Sequence, residues 1–201
     1  MERLIHMFGA CSLAPAWDRS PYESLVRSVT HQQLRGSVAE KILGRLIALF
    51  PSQAFPRPED IEAADEAALR GAGLSANKIA SLRDIARHAI EGKLPTRVEA
   101  ESMDDAELVF SLTAIRGVGR WTVEMMLIFT LGRLDVFPAD DFGVRNGMRL
   151  AYGFDAMPTK RQAQTDAQTW QPYRSIASWY LWRVSAVKSP PSSVRESELS
   201  D

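Results

Sequence analysis

The chain of 201 residues has 24 lysine and arginine residues against 25 aspartate and glutamate residues, so its formal net charge is −1. Its 45% hydrophobic content is sufficient for the core of one domain or of two closely packed lobes. A single cysteine, Cys11, excludes an intramolecular disulfide and any four-cysteine metal or iron–sulfur site. We find no apolar run long enough to cross a bilayer and no secretory signal, so we expect a cytoplasmic protein.

Helical periodicity runs along the chain, and no alternating segment requires a strand. The first half predicts helices at residues 22–34, at residues 36–50 (with Val38, Ile42, Leu46 and Leu49 on one stripe), from Pro58 to the glycines at 71 and 73, and from a Ser75 cap to Gly92. The second half predicts helical arms at residues 104–115 and 121–131, and a partly helical stretch at 159–187 that is broken near Pro172. We therefore expect an all-α domain over residues 1–188. The polar segment 189–201 lacks core residues and is predicted to be a disordered tail.

A Gly-Val-Gly sequence at residues 117–119 joins the two helical arms, so residues 112–124 have the pattern of a helix-hairpin-helix. Its backbone amides and the start of the following helix would bind a phosphate anion. Arg120 and Thr122 lie in the first turn of that helix, where a charge and a hydroxyl can reach a phosphate. A Gly-x-Gly between helices is often only a tight turn. The apolar residues Ile115 and Val118 favour a packed hairpin that binds DNA, but they do not specify catalysis.

Two carboxylates, Asp140 and Asp141, follow the hairpin in the sequence PADD, the second of them 22 residues after Gly119. Either carboxylate could cap the next helix. Either could instead stabilise positive charge at a sugar C1′ or orient a water, and the residues alone leave both roles open. A phosphate site near an isolated carboxylate indicates chemistry on a nucleic acid. A small basic patch can exist on a neutral protein, so we expect modest, salt-sensitive affinity for undamaged DNA.

The segments LTAIRGVGRWTVEMMLIF and DVFPADDFGVRNG resemble the helix-hairpin-helix DNA glycosylase superfamily, whose signature is a hairpin, a Gly/Pro-rich loop and a following Asp. The segments PYESLVRSVTHQQL, LSANKIASLRDIA and TWQPYRSIASWYLWR extend the resemblance over residues 20–187, within the alkylpurine branch (3-methyladenine DNA glycosylase II and its compact relatives). The resemblance implies two helical lobes with the active site in the cleft between them. It also implies a monomer that binds double-stranded DNA containing alkylated bases, without a cofactor, a catalytic metal or membrane contact.

The family's motifs assign roles to individual residues of this chain. The second Asp of PADD matches the catalytic carboxylate, so the resemblance gives catalysis to Asp141 and the capping role to Asp140. The amides of Gly117, Val118 and Gly119 would hold a phosphate of the lesion strand, with a monovalent cation as a possible partner of the hairpin backbone.

The loop at residues 31–35, between two early helices, matches the loop that fills the gap left by a flipped nucleotide. Gln33 or Leu34 would be the wedge, and Arg35 would enter the minor groove. Leu34 could alternatively be an ordinary core residue at a helix end. His31 is expected to be a hydrogen-bonded loop residue without a catalytic role.

Three aromatic residues match the family's base pocket: Trp121, Phe142 and Trp182. An N-alkylated purine is cationic, and a cation over an aromatic ring gains about 0.5 to 2 kcal/mol. Trp121 stands where bifunctional relatives carry a Schiff-base lysine, which implies an enzyme that leaves an abasic site without cutting the strand. Two further tryptophans, Trp170 and Trp179, are assigned to the core.

The sequence therefore predicts a monofunctional DNA glycosylase that flips out 3-methyladenine or 7-methylguanine and excises it in base-excision repair. Two alternatives stay open at this point. One is a glycosylase for deaminated, etheno, mismatched or oxidised bases, and the other is a non-catalytic module that senses lesions. In a bacterium the protein would be associated with the nucleoid.

Overall fold

The computed structural model describes residues 1–187, and every regular element among them is helical. This confirms the predicted all-α class. The helices within this range are α1 (Glu2–Phe8), α2 (Pro21–His31), α3 (Gly36–Ala48), α4 (Pro58–Ala63), α5 (Glu66–Gly71), α6 (Ala76–Ile90), α7 (Arg97–Ser102), α8 (Asp105–Leu112), α9 (Arg120–Phe129), α10 (Phe142–Tyr152), α11 (Lys160–Asp166), a 3₁₀-helix (Ala167–Trp170) and α12 (Arg174–Ala186). None of these helices is long and apolar enough to cross a membrane. The predicted disordered tail, residues 189–201, lies outside the described residues.

The chain divides into two compact units. The continuous unit, Pro15–Gly132, contains helices α2 to α9. The split unit combines Met1–Ala14 with the described residues from Arg133 to Val187, and contains α1 and α10 to α12.

Helix α2 is the central helix of the continuous unit, where it packs against α3, α6 and α9. Ser20 caps its N-terminus by accepting a hydrogen bond from the Glu23 amide, and Pro21 fits the first position because that residue needs no intrahelical N–H bond. The sequence predicted that this helix extends to residue 34, but it ends at His31. The reason is that Gln33 adopts a positive φ of 58°, which cannot continue a right-handed helix.

Two other predictions in this unit are corrected. The buried face of α3 consists of Ala39, Ile42, Leu43 and Leu46, whereas Val38 and Leu49 are exposed, so the predicted stripe was misplaced at both ends. The single helix predicted from Pro58 is two helices, α4 and α5, because Asp65 interrupts it and caps α5 by accepting a hydrogen bond from the Ala68 amide. The predicted Ser75 cap of α6 is confirmed.

The split unit is built on close contact between α10 and α12. A Cβ at Gly147 would lie 2.1 Å from the backbone oxygen of Leu181, so this crossing requires a residue without a side chain. The predicted break near Pro172 is confirmed between the 3₁₀-helix and α12. At the start of α12, Arg174 forms a two-pronged ion pair with Asp135, with Nε–Oδ1 and Nη2–Oδ2 distances of 2.7 and 2.9 Å.

Candidate functional site

The turn between α8 and α9 has the packing that the predicted hairpin needs. Ile115 and Val118 are buried, and the Val118 amide donates to the Ile115 carbonyl over 3.1 Å. Gly117 has a φ of +76°, a conformation that side chains with a Cβ rarely adopt. A Cβ at this position would also lie only 2.3 Å from the Oγ atom of Ser81. Glycine is therefore required at residue 117 for two independent reasons.

Helix α9 begins directly after the hairpin, with Gly119 at its N-cap in an extended conformation. Among the described residues, no side chain caps this helix end, and its first turn contains no acid. The first-turn amides and the positive end of the helix dipole are thus arranged as at known anion sites.

Arg120 and Thr122, the two polar side chains predicted to assist the hairpin, differ in their exposure to solvent. Arg120 is 68% exposed, although its Nε donates to the buried Glu124 carboxylate over 2.9 Å. Thr122 is only 3% exposed, so the prediction that its hydroxyl reaches a phosphate was wrong. It shares the buried face of α9 with Met126, one helical turn further on.

Helix α6 supports both the hairpin and the end of α2. Asp84 Oδ2 accepts a hydrogen bond from the Arg116 amide over 2.8 Å, and Ser81 packs against Gly117. Lys78 Nζ donates to the Thr30 carbonyl over 2.6 Å, and partial burial lowers the pKa of its ammonium group. Sequence reasoning missed these supports, because a polar residue beside an apolar helix stripe gives no signal of which partner it meets.

Residues 32–35, which we call the wedge turn, connect α2 to α3. Gln33, Leu34 and Arg35 are all exposed, and Leu34 at 38% exposure is not a core residue. On the α2 side of this turn, His31 Nε2 lies 2.9 Å from Glu40 Oε1 of α3. The Gln32 side-chain amide donates to the carbonyl oxygen of Gly117 over 2.9 Å. The structure thus joins the predicted wedge and the predicted phosphate site within one unit.

Trp121 lies beside a cavity of about 320 Å³ in the continuous unit. Met125 and Phe129, one and two turns further along α9, line the same cavity. The rest of the lining is polar and includes His31 of α2 and Glu40 of α3. Trp121 itself is 41% exposed.

In the split unit, Asp141 is the N-cap of α10, and its Oδ1 accepts two hydrogen bonds. One comes from the Val144 amide and the other from the indole Nε1 of Trp182, each over 2.8 Å. Asp140 instead forms an ion pair with Lys160. The assignment of the capping role to Asp140 was therefore wrong, because the residue directly before the first helical residue, Phe142, makes the cap.

The aromatic residues near Asp141 have different surroundings. Trp182 is partly buried and packs on the core of the split unit, whereas Phe142 is 66% exposed. A Cβ on Gly143 would lie 2.9 Å from Trp182 Cδ1 and 3.1 Å from Asp141 Oδ1. The absence of a side chain at residue 143 is thus what lets the indole reach the carboxylate.

The core assignment of Trp179 is confirmed, and Trp170 is partly buried against the core of the split unit. Trp179 is 8% exposed, and Trp170 packs against Phe137 with a ring-centroid distance of 5.8 Å. Within residues 1–187, no group of three or more His, Cys, Asp or Glu side chains is placed to hold a metal ion.

Known proteins are similar to this chain in sequence and in fold. DNA-3-methyladenine glycosylase 1 of Schizosaccharomyces pombe is 43% identical over 177 residues, which cover 88% of this chain and 78% of that protein. The solved structure of an S. pombe 3-methyladenine DNA glycosylase in complex with abasic DNA is similar with a TM-score of 0.86 at 41% identity, covering 93% of this chain and 91% of that one. A DNA-3-methyladenine glycosidase from Bacillus halodurans is similar with a TM-score of 0.82 at 33% identity, covering 92% and 84%.

The sequence profile of the HhH-GPD superfamily of base excision DNA repair proteins matches residues 26–172, which include the wedge turn, the hairpin and Asp141. The resemblance found in the sequence motifs is thereby confirmed. The chain belongs to the HhH-GPD superfamily of base excision DNA repair proteins.

Proposed function

We propose that this protein is a monofunctional DNA glycosylase that flips alkylated purines, of the 3-methyladenine and 7-methylguanine type, out of DNA and hydrolyses their N-glycosidic bond. The product is an abasic site, the substrate of the later steps of base-excision repair. The observation that carries the proposal is the Asp141 carboxylate, which the Val144 amide and the Trp182 indole hold in one orientation. The names of the similar proteins support the substrate class.

The chemistry uses the charge of the damaged base. An N-alkylated purine is cationic, so when the bond from C1′ to the base nitrogen breaks, its electron pair neutralises the leaving base. Positive charge then develops at the sugar C1′, and the Asp141 carboxylate stabilises it. Water attacks C1′ and gives up its proton to solvent. Because two hydrogen bonds already fix the carboxylate, little reorganisation is needed as the charge develops.

DNA binding is assigned to the continuous unit. The amides of Gly117, Val118 and Gly119, at the positive end of α9, would hold a phosphate of the lesion strand. Arg120 presents an exposed guanidinium to the same strand. In the wedge turn, Gln33 or Leu34 would fill the gap in the duplex, and Arg35 would contact the minor groove. Extruding the nucleotide costs about a few kcal/mol, which these contacts offset.

Aromatic faces would receive the flipped base. Trp121 and Phe142 have exposed rings, and Trp182 is oriented through its bond to Asp141. These rings attract a cationic purine more strongly than a neutral one. Trp121 supplies no amine for a Schiff base, so we expect no strand cleavage by the enzyme itself.

A monovalent cation at the hairpin backbone is compatible with the carbonyl oxygens there. The carbonyls of Ile115 and Gly117 each accept one hydrogen bond, and a carbonyl oxygen has a second lone pair. Such an ion would add positive charge next to the bound phosphate.

Release of free base from methylated duplex DNA, followed by alkali to reveal abasic sites, tests the proposal. The wild type should release methylpurines, with strand breaks appearing only after alkali. Asp141→Asn should lower single-turnover release by at least about 100-fold, a loss typical of removing a main electrostatic stabiliser. Asparagine can still accept the Val144 hydrogen bond, so the fold should persist. Asp140→Asn is the matched control and should retain activity.

A panel of duplexes containing methylated, deaminated, etheno or oxidised bases distinguishes the substrate classes. Release of oxidised bases alone would overturn the alkylpurine assignment. Tight lesion binding without release of any base, and unchanged by Asp141→Asn, would indicate a lesion-sensing module instead.

We further propose that residues 1–188 form the catalytic domain and that the protein acts as a monomer. Its location would be wherever chromosomal DNA is accessible, which in a bacterium is the cytoplasm and nucleoid. Sedimentation analysis of the full chain, alone and with a lesion duplex, tests the monomeric state.

A further inference from the structure

We propose that Gln32 is a positioning residue that couples the wedge turn to the phosphate-binding hairpin through the carbonyl oxygen of Gly117. Gln32 is both the C-cap of α2 and the first residue of the wedge turn. Its side-chain amide spans from this turn to the hairpin, 85 residues further along the chain, with an Nε2–O distance of 2.9 Å. The bond thus joins the residues proposed to enter the duplex with those proposed to hold the backbone.

The surrounding contacts explain why a single hydrogen bond can have this effect. Helix α6 holds the end of α2 through the bond from Lys78 to the Thr30 carbonyl. The same helix also supports the hairpin, because Ser81 packs against Gly117 and Asp84 accepts a hydrogen bond from the Arg116 amide. Residues 33–35 of the wedge turn, however, lie beyond Thr30 and are exposed. The Gln32 bond is a direct tie between its start and the hairpin.

The second side of the wedge turn is held in a different way. His31 Nε2 lies 2.9 Å from Glu40 Oε1, which links the last residue of α2 to α3. This contact determines how α3 leaves the turn, whereas Gln32 determines the distance of the turn from the phosphate site. A displacement of about 1 Å in such a constellation is sufficient to lower rates substantially.

Only a donor at residue 32 can make this bond, because the partner is a carbonyl oxygen. Gln32→Glu has the same shape as the native side chain but presents a carboxylate to the Gly117 oxygen. The substitution removes the hydrogen bond and adds repulsion between two acceptors. Gln32→Ala removes the bond without the repulsion and provides a second variant.

The inference rests on the proposed function, and the experiment separates the two. We compare single-turnover base release from a duplex and from the single strand of the same sequence. Gln32→Glu should lower release from the duplex about tenfold, because wedge insertion is needed only there. Release from single-stranded DNA should stay within about twofold of the wild type, since that base is already unstacked. Gln32→Ala should show the same pattern to a smaller extent.

A fluorescence measurement reports wedge insertion without catalysis. The probe is a duplex with 2-aminopurine next to a tetrahydrofuran abasic analogue, whose emission rises when the wedge unstacks the neighbouring base. The rise seen with wild type should be reduced in Gln32→Glu. Gln164→Glu, on the exposed surface of α11, makes the same charge change and should behave as the wild type.

Equal losses on duplex and single-stranded DNA, or an unchanged rate and fluorescence rise in Gln32→Glu, would overturn the coupling. If the wild type releases no methylpurine from either form of DNA, the proposed function fails. A Gln32-dependent fluorescence rise in that case would still support the coupling.

Discussion

The indole of Trp182 donates a hydrogen bond to the same Asp141 oxygen that caps α10. One carboxylate therefore stabilises a helix end, receives an indole N–H and is the proposed electrostatic centre of the reaction. The hydrogen bond that would orient this carboxylate for the proposed reaction also links the start of α10 to α12.

We expect Trp182→Phe to separate orientation from charge. Phenylalanine retains an aromatic ring but has no N–H, so Asp141 Oδ1 loses the hydrogen bond from the indole. A hydrogen bond to a charged group contributes about 1.5 to 3 kcal/mol, which predicts a fall in base release of at least about tenfold. This fall is measured by comparing the single-turnover rates of base release of the variant and the wild type on methylated duplex DNA.

Trp170→Phe is the control. Trp170 also packs against the core of the split unit, but the indole that donates to Asp141 is that of Trp182. Equal rate losses in the two variants would mean that general packing, not the bond to the carboxylate, determines activity.

The hairpin should be intolerant of any side chain at residue 117. In Gly117→Ala the added Cβ requires a disfavoured φ and meets Ser81, and such strain costs about 1 to 3 kcal/mol. We expect lower stability in urea unfolding and weaker binding to an abasic duplex. In contrast, Gly44→Ala within α3 has open space around its Cβ and should raise stability by about 0.5 to 1 kcal/mol. A Gly117→Ala protein as stable as the wild type would contradict the required close approach.

The ion pair between Asp135 and Arg174 should make part of the stability depend on pH. The hydrogen bond from Arg174 lowers the pKa of Asp135 below its usual value. A carboxylate with a lowered folded-state pKa stabilises the fold above its unfolded pKa, near 3.9, and this contribution is lost as the pH falls through the folded pKa.

Asp135→Asn should accordingly reduce the free energy of unfolding by roughly 1 kcal/mol at pH 7, since partial exposure screens the pair. The difference from the wild type should shrink when urea unfolding is repeated at progressively more acidic pH, below about 4. A difference that stays constant from pH 7 down to the acid limit would show that the charge of Asp135 does not contribute.

Short-range signals in the sequence were sufficient for most of the secondary structure. The Ser75 cap, the Gly-Val-Gly turn and the break at Pro172 each depend on residues that are neighbours along the chain, and the structure confirms all three. The division of the segment after Pro58 into α4 and α5 was missed, because an internal Asp such as Asp65 can lie within a helix or cap a new one.

The sequence by itself determined the helical class, the hairpin and the pair of carboxylates, because periodicity, glycine conformation and motif spacing are local properties. Tertiary structure decided that the Trp182 indole meets Asp141, that Thr122 is buried, and that Gln32 reaches Gly117. Each of these depends on side chains brought together from distant parts of the chain. The packing of the helices selects those partners, and no local pattern in the sequence specifies them.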